Sequence, residues 1–177
     1  DPAFKVSSDL VMDETTESNT WFEHNTEQLL ALFSKSGYVA KHIVLTGGEP
    51  CLYDLTEITS SLIEKGYSVQ IETSGTYEVL VHQDTWVTVS PKVNMPGGRP
   101  VLASAMRRAD EIKHPVAMQK HIEELDQVLT LLGDKVAPNI YLQPISQQKR
   151  ATDLAIKTCI ARNWRLSLQT HKFIGIE

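Results

Sequence analysis

IVLTGGEPC, residues 43–51, is the most informative stretch of this chain. Three apolar residues that favour strands lead directly into a threonine, two glycines, an acid and a proline. Because glycine has no Cβ, the backbone at Gly47 and Gly48 can approach a ligand closely, while the proline fixes the turn. Glu49 would repel a phosphate and suits an ammonium or sulfonium group. The stretch predicts a buried strand followed by a ligand-binding turn, although a simple strand-to-helix turn also accounts for two glycines.

Strand-like and helix-like segments alternate from this stretch towards the end of the chain. Short links between alternating strands and helices favour a parallel sheet, closed or half-closed as a barrel. In the absence of a repeat or a linker, residues 1–177 are predicted to form one domain, with residues 1–24 as an irregular or flexible lead-in. Strands are predicted at 42–46, 67–73, 85–90, 110–116, 139–144 and 164–170, and helices at 54–65, 101–109, 119–132 and 148–162, after a first helix that Asn25 or Thr26 caps.

Short polar turns follow or end nearly every predicted strand. Parallel α/β folds bind their ligands at the carboxyl ends of the strands, where such turns meet. Turn chemistry alone explains one or two of them, whereas five or six on one edge predict a ligand site. These segments are TGGEP at 46–50, ETSG at 72–75, SPK at 90–92, QPIS at 143–146 and QTHK at 169–172, with KHP at 113–115 inside the fourth predicted strand.

Composition excludes several classes of protein. A net charge of −5 argues against binding nucleic acid through counterion release, and no apolar run is long enough to span a membrane. The two cysteines, Cys51 and Cys159, are too few for a four-cysteine zinc site or for a three-thiolate iron–sulfur loop. Both are predicted to be small packing residues. Five of the six histidines show no metal-ligand spacing and are predicted to lie on the surface: His24, His42, His82, His114 and His121.

The ordered set of motifs resembles the 7-carboxy-7-deazaguanine synthase family of radical S-adenosylmethionine (SAM) enzymes. GGEP alone marks only the superfamily, whereas five further motifs, including the closing QTHK, mark the synthase. The similarity runs from about residue 25 to the C-terminus. It is carried by LTGGEPCLYD at 45–54, QIETSGT at 70–76, WVTVSPK at 86–92, EIKHP at 111–115, YLQPIS at 141–146 and RLSLQTHKF at 165–173.

The resemblance implies a radical SAM lyase of queuosine biosynthesis with an incomplete parallel (β/α) barrel. Such an enzyme converts 6-carboxy-5,6,7,8-tetrahydropterin to 7-carboxy-7-deazaguanine with loss of ammonia. It implies SAM, a 4Fe-4S cluster and Mg²⁺ as cofactors, and a flavodoxin- or ferredoxin-type electron donor. It also implies a cytoplasmic homodimer that binds neither nucleic acid nor membrane.

The resemblance also assigns roles to individual residues. It places Thr46 against the pterin. Beside the resemblance, the position of Glu72 at a strand end predicts either ligand contact or a turn-capping role, and Lys172 either pairs with the substrate carboxylate or lies in a solvated tail. Lys113 points either into the barrel or at solvent. The SAM-binding set is Gly47, Gly48, Glu49, Ser90, Pro91, Lys92, Gln143, Pro144, Ile145 and Ser146.

One departure from the family pattern is large. The family's cluster loop, CxxxCxxC, and its neighbouring magnesium-ligating threonine have no counterpart in this sequence. The first barrel strand and the cluster loop are therefore expected outside this chain, which is expected to begin inside a larger protein and to be inactive alone. Two alternatives stay open: another radical SAM enzyme of the activase type, and a non-catalytic relative that binds SAM or a partner. The SPK and QTHK motifs speak against the activase.

Overall fold

A computed structural model describes residues 24–35, 39–93, 98–145 and 148–170, with the side chains of residues 34 and 35 left aside. Its contacts divide the chain into two compact units, residues 1–40 and 41–177. The single domain over residues 1–177 therefore stays a prediction, and the lead-in over residues 1–23 lies outside the described residues.

In the first unit the described helix α1 spans Thr26–Lys35. Asn25 caps it as predicted: Asn25 N donates to Gln28 Oε1 and Gln28 N donates to Asn25 Oδ1, each at 2.9 Å. This reciprocal arrangement satisfies backbone donors that the first helical turn leaves without partners.

The second unit alternates strands and helices as the sequence predicts. Nearly every predicted element is present within two residues of its predicted bounds. The last strand is the exception, because only Arg165–Leu166 of the predicted 164–170 forms a ladder. In order the elements are β1 His42–Leu45, a 3-10 turn Pro50–Leu52, α2 Thr56–Glu64, β2 Ser68–Thr73, β3 Trp86–Val89, α3 Ala103–Arg108, β4 Glu111–Val116, α4 Gln119–Leu129 with a 3-10 extension Thr130–Leu132, β5 Asn139–Pro144, α5 Lys149–Arg162 and β6 Arg165–Leu166.

The six strands form one parallel sheet in the order β1-β2-β3-β4-β5-β6. Every neighbouring pair is parallel, so all carboxyl ends lie along one edge of the sheet. Within the described residues the series is open, with one neighbour each for β1 and β6. The predicted incomplete parallel barrel is confirmed.

One face of the sheet carries the hydrophobic core. Alternate strand residues are fully buried there, among them Ile71, Val87 and Ile112. Helices α2, α3, α4 and α5 pack on these strands through buried residues: Leu62, Met106, Ile122, Leu125 and Ala155. The core also takes in Cys51 and Cys159, which are 6% and 7% exposed and unbonded to each other. Their predicted packing role is confirmed.

The opposite face of the sheet is polar. Along each strand the residues between the core positions point away from the core. We call this surface the polar face; hydrogen bonds along it include those from Gln70 Nε2 to Thr88 Oγ1 at 3.0 Å and from Arg165 Nη1 to the Tyr141 hydroxyl at 3.0 Å. Its polar and aromatic members are His42, Ser68, Gln70, Glu72, Trp86, Thr88, Glu111, Lys113, Asn139, Tyr141, Gln143 and Arg165, and Val44 and Pro115 lie on the same face.

The surface prediction for His114 is wrong. His114 lies between Ile112 and Val116 on the core face of β4 and is 4% exposed. Neither ring nitrogen has a hydrogen-bond partner in the part of the chain that the structure describes. Burial lowers the pKa of His114 to about 4, so the imidazole is neutral at pH 7.

Among the described helices, none is long and apolar enough to cross a membrane.

Candidate functional site

Two consecutive glycines form the turn after β1. Gly47 has φ +89° and Gly48 has φ +48°, a region that other residues enter only with strain. A Cβ placed on either glycine would have no atom within 4 Å. The backbone at this turn therefore borders open space at the carboxyl edge of the sheet. Thr46, which precedes the glycines, is exposed at the same edge.

The carboxylate of Glu49 is engaged within the protein. Its Oε1 accepts from Cys51 N at 3.1 Å and from Thr73 Oγ1 at 2.6 Å. Its Oε2 accepts from Ser74 N at 2.8 Å and from the Ser74 hydroxyl. A carboxylate has about four lone-pair positions, and these bonds use them. A ligand at this turn would therefore meet the glycine backbone rather than the Glu49 side chain.

The same bonds set the ionisation of Glu49. Burial acts to raise the pKa of Glu49, but the hydrogen bonds from Ser74, Thr73 and Cys51 outweigh it and leave the pKa below its usual range. The ionised Glu49 carboxylate thus links the turn after β1 to the end of β2 through hydrogen bonds.

Two further predicted segments lie at the same carboxyl edge. Ser90 directly follows β3 and is half-buried, and its backbone N–H donates to Thr73 O at 2.7 Å. Gln143 is half-buried near the end of β5, and Ile145 N donates to Val116 O at 2.9 Å. These bonds continue the ladders past the strand ends and fix the turns. Of the remaining predicted residues, Pro91 and Pro144 are buried, Lys92 is exposed, and Ser146 and Lys172 lie outside the described residues.

Glu72 presents a different carboxylate from Glu49. Lys113 Nζ donates to Glu72 Oε1 at 2.6 Å, and the two side chains are 24% and 32% exposed, respectively. Among the described residues, the hydrogen bond from Lys113 to Oε1 is the one that the Glu72 carboxylate accepts. Lys113 therefore lies on the polar face with a specific partner. The sequence could not show this contact, because the two residues are 41 positions apart on strands that β3 separates.

The described residues fit SAM but do not fit an iron–sulfur cluster. Open space beside two glycine backbones, with a serine after β3 and an amide near the end of β5 on the same edge of the sheet, suits an amino-acid and nucleoside ligand. No group of three His, Cys, Asp or Glu that could hold a metal occurs in the described ranges. Burial, together with the nearby Glu49 carboxylate, raises the pKa of Cys51, and burial raises the pKa of Cys159. Neither thiol is a ready thiolate ligand.

Fold and site together define a parallel (β/α) half-barrel enzyme scaffold whose ligand edge begins with a Gly-Gly turn. No family model matches the chain. It is 54% identical over 172 residues to 7-carboxy-7-deazaguanine synthase of Escherichia coli (strain K12), which covers 97% of this chain and 77% of that protein. The same name belongs to a Buchnera aphidicola protein that is 40% identical over 172 residues, with the same two coverages.

A solved structure gives the same result. The crystal structure of QueE from Escherichia coli matches with a TM-score of 0.83 and 54% identity, covering 93% of this chain and 72% of that one. The chain belongs to the 7-carboxy-7-deazaguanine synthase family.

Proposed function

We propose that this protein acts as a 7-carboxy-7-deazaguanine synthase, a radical SAM lyase of queuosine biosynthesis. The reaction converts 6-carboxy-5,6,7,8-tetrahydropterin to 7-carboxy-7-deazaguanine and releases ammonia. The observation that carries the proposal is 54% identity over 97% of the chain to a protein of that name. The retained Gly-Gly turn and polar carboxyl edge supply the surface that such a ligand pair needs.

Separate segments of the carboxyl edge bind the methionyl, ribose and adenine parts of SAM. The open backbone at Gly47 and Gly48 receives the methionyl part, and the Glu49 carboxylate keeps that backbone in place. The hydroxyl of Ser90, with Pro91 and Lys92, lies at the ribose. Gln143, Pro144, Ile145 and Ser146 hold the adenine, for which Ile145 offers an apolar surface. When bound to a reduced cluster, SAM supplies the radical chemistry of the reaction.

The pterin lies beside the same turn. Thr46 is exposed next to the glycines, and Glu72 offers acceptor capacity on the polar face. A carboxylate with free lone pairs suits the paired N–H donors of an aminopyrimidinone ring. Lys172 is a further candidate, as a cation for the substrate carboxylate.

The remaining cofactors and partners depend on protein outside this sequence. Two cysteines cannot supply three thiolates, so the ligands of the 4Fe-4S cluster and of Mg²⁺ are proposed to come from elsewhere. A flavodoxin- or ferredoxin-type protein would supply the electrons, and two copies of the enzyme would form a homodimer. The biosynthetic role and the two unpaired buried thiols favour the cytoplasm.

A second candidate is a non-catalytic relative that binds SAM or a partner protein. The two-cysteine count favours it, since this sequence alone cannot hold the cluster. Turnover separates the two candidates. The complete gene product, anaerobically reconstituted with iron and sulfide and supplied with SAM, dithionite and the tetrahydropterin, is expected to form 7-carboxy-7-deazaguanine. A reconstituted protein that holds the cluster through three thiolates but forms no 7-carboxy-7-deazaguanine would contradict the lyase function.

Replacing Gly48 by valine tests the SAM site directly. The valine side chain would occupy the space beside the turn, so SAM binding by calorimetry should be lost. Gly66→Val is the matched control, because Gly66 has φ +80° and equally open surroundings but lies at the amino end of β2. The control carries similar backbone strain and should keep wild-type affinity. Wild-type SAM binding in Gly48→Val would remove the turn from the site.

A further inference from the structure

Lys113 and Glu72 pair across an intervening strand. Glu72 lies on β2 and Lys113 on β4, yet Lys113 Nζ is 2.6 Å from Glu72 Oε1. On β3, Thr88 pairs with Glu72 on one side and with Glu111 on the other. Lys113 is the next residue after Glu111 on the polar face and lies one step nearer the carboxyl edge. The lysine therefore reaches diagonally back over β3 to contact Glu72.

A second carboxylate lies beside the pair. Burial raises the pKa of Glu111, Lys113 acts to lower it, and the Glu72 carboxylate raises it further. The Trp86 indole and Arg165 also act to lower the pKa of Glu111. Glu111 thus has other polar neighbours, whereas Lys113 is the cation in hydrogen-bond contact with Glu72 among the described residues. Without Lys113, Glu72 would be left beside Glu111 with no cation holding it.

A lysine can hold a carboxylate in position and leave some of its acceptor lone pairs free. The compact ammonium contacts one oxygen of Glu72, whereas an arginine fork commonly takes both. The second lone pair of Oε1 and both lone pairs of Oε2 stay available to a ligand on this face. Glu72 is thereby held in one position while it keeps acceptors for two adjacent N–H donors.

We propose that Lys113 is a positioning residue for substrate recognition, holding the Glu72 carboxylate where it accepts hydrogen bonds from the paired N–H groups of an aminopyrimidinone edge. Lys113 itself does not touch the substrate. This inference rests on the proposed function, in which Glu72 contacts the pterin. It adds the residue that sets the geometry of that contact.

Steady-state kinetics of the complete, cluster-reconstituted enzyme test the proposal. Lys113→Met should raise the pterin KM by roughly 10- to 100-fold, the range for hydrogen bonds to a charged group. The turnover number at saturating pterin and the SAM affinity should stay close to wild type, because the lysine contacts neither the reacting atoms nor SAM. Lys113→Arg keeps the charge and should recover most of the affinity.

Lys149→Met is the matched control. It removes a lysine from an exposed ion pair with Asp153 at 2.8 Å and should leave the pterin KM unchanged. If Lys113→Met loses its cooperative melting transition, Lys113→Gln is measured with the same expectation. A wild-type KM in either folded variant, or a reduced turnover number with an unchanged KM, would overturn the positioning role. An inactive wild-type enzyme would instead remove the proposed function, and this inference with it.

Discussion

Two glutamates near the same edge of the sheet show how local contacts separate a structural role from a ligand role. Glu49 accepts hydrogen bonds from Cys51, Thr73 and Ser74, which use its lone pairs. Glu72 has one ion pair and retains acceptor positions. Glu49 lies in the turn after β1 and Glu72 lies within β2, and the two carboxylates differ in the hydrogen-bond donors that surround them. The sequence predicts ligand contact for both residues, and the lone pairs that Glu72 retains favour it for direct contact through its side chain.

His114 gives the clearest prediction for a single residue. Its pKa is about 4 in the folded protein against 6.5 in the unfolded chain. The unfolded state therefore binds more protons between these values, and stability falls as the pH drops from 6.5 towards 4. Chemical denaturation at pH 7 and at pH 4 measures this loss. Between these two pH values the unfolding free energy of wild type should fall by about 3 kcal/mol more than that of His114→Gln.

The control for this prediction is His42→Gln. His42 lies at the exposed edge strand β1, where its ring nitrogens contact Ser68 Oγ at 3.0 Å and Gln70 Oε1 at 3.2 Å. Its replacement should preserve the wild-type loss of stability at low pH. A His114→Gln profile parallel to wild type would show that the imidazole is protonated in the folded state without cost.

Between elements, the Glu49 carboxylate joins the turn after β1 to the end of β2. Its loss would leave the Ser74 N–H and two hydroxyls without a charged acceptor. Glu49→Ala should lower the unfolding free energy at pH 7 by roughly 2–3 kcal/mol, as for hydrogen bonds to a charged group. Because the folded pKa of Glu49 is lowered, the stability it contributes is present above its unfolded pKa of 4.5 and is lost as the pH falls through the folded value.

Chemical denaturation of Glu49→Ala and Glu123→Ala checks this prediction. Glu123 is exposed on α4, so its removal should change stability by no more than about 0.5 kcal/mol. Equal stability of both variants at pH 7 would mean that the turn does not depend on the carboxylate.

The order of elements could be predicted from the sequence because each has its own local signal. Apolar alternation marked β2 and β5, and the Asn25 cap marked the start of α1. The burial of His114 was also readable, since Ile112 and Val116 share its strand face. The polarity of a histidine favours the surface, whereas the alternation along β4 places this one in the core.

Other features depend on contacts between distant residues. The Glu72–Lys113 pair and the Glu49–Ser74 bond need the order and register of the strands, which no local pattern contains. The last strand is shorter than its alternating sequence suggests because β6 pairs with β5 through Tyr141–Arg165 and Leu142–Leu166 alone. Beyond this ladder Leu168 is 48% exposed, so the apolar alternation of residues 164–170 does not correspond to burial in the core.

In the larger unit as a whole, one sheet separates two chemical environments. The helix-covered face is apolar and buried, while the polar face carries charged and hydrogen-bonded side chains. The turns that follow the strands connect both faces at the carboxyl edge. A ligand bound there would contact fixed backbone at residues 46–50 and 90–92, where backbone hydrogen bonds hold the turns. We propose that this edge binds SAM.

Amide hydrogen exchange of the complete gene product tests whether SAM binds at this edge. Exchange is measured with and without anaerobic reconstitution with iron and sulfide followed by SAM. We expect slower exchange of the amides in residues 46–50 and 90–92 on addition, because a bound ligand would shield them. Exchange in α4 at Gln119–Leu129 serves as an internal reference and should stay unchanged. Unchanged protection at residues 46–50 and 90–92 would show that SAM does not bind at this edge.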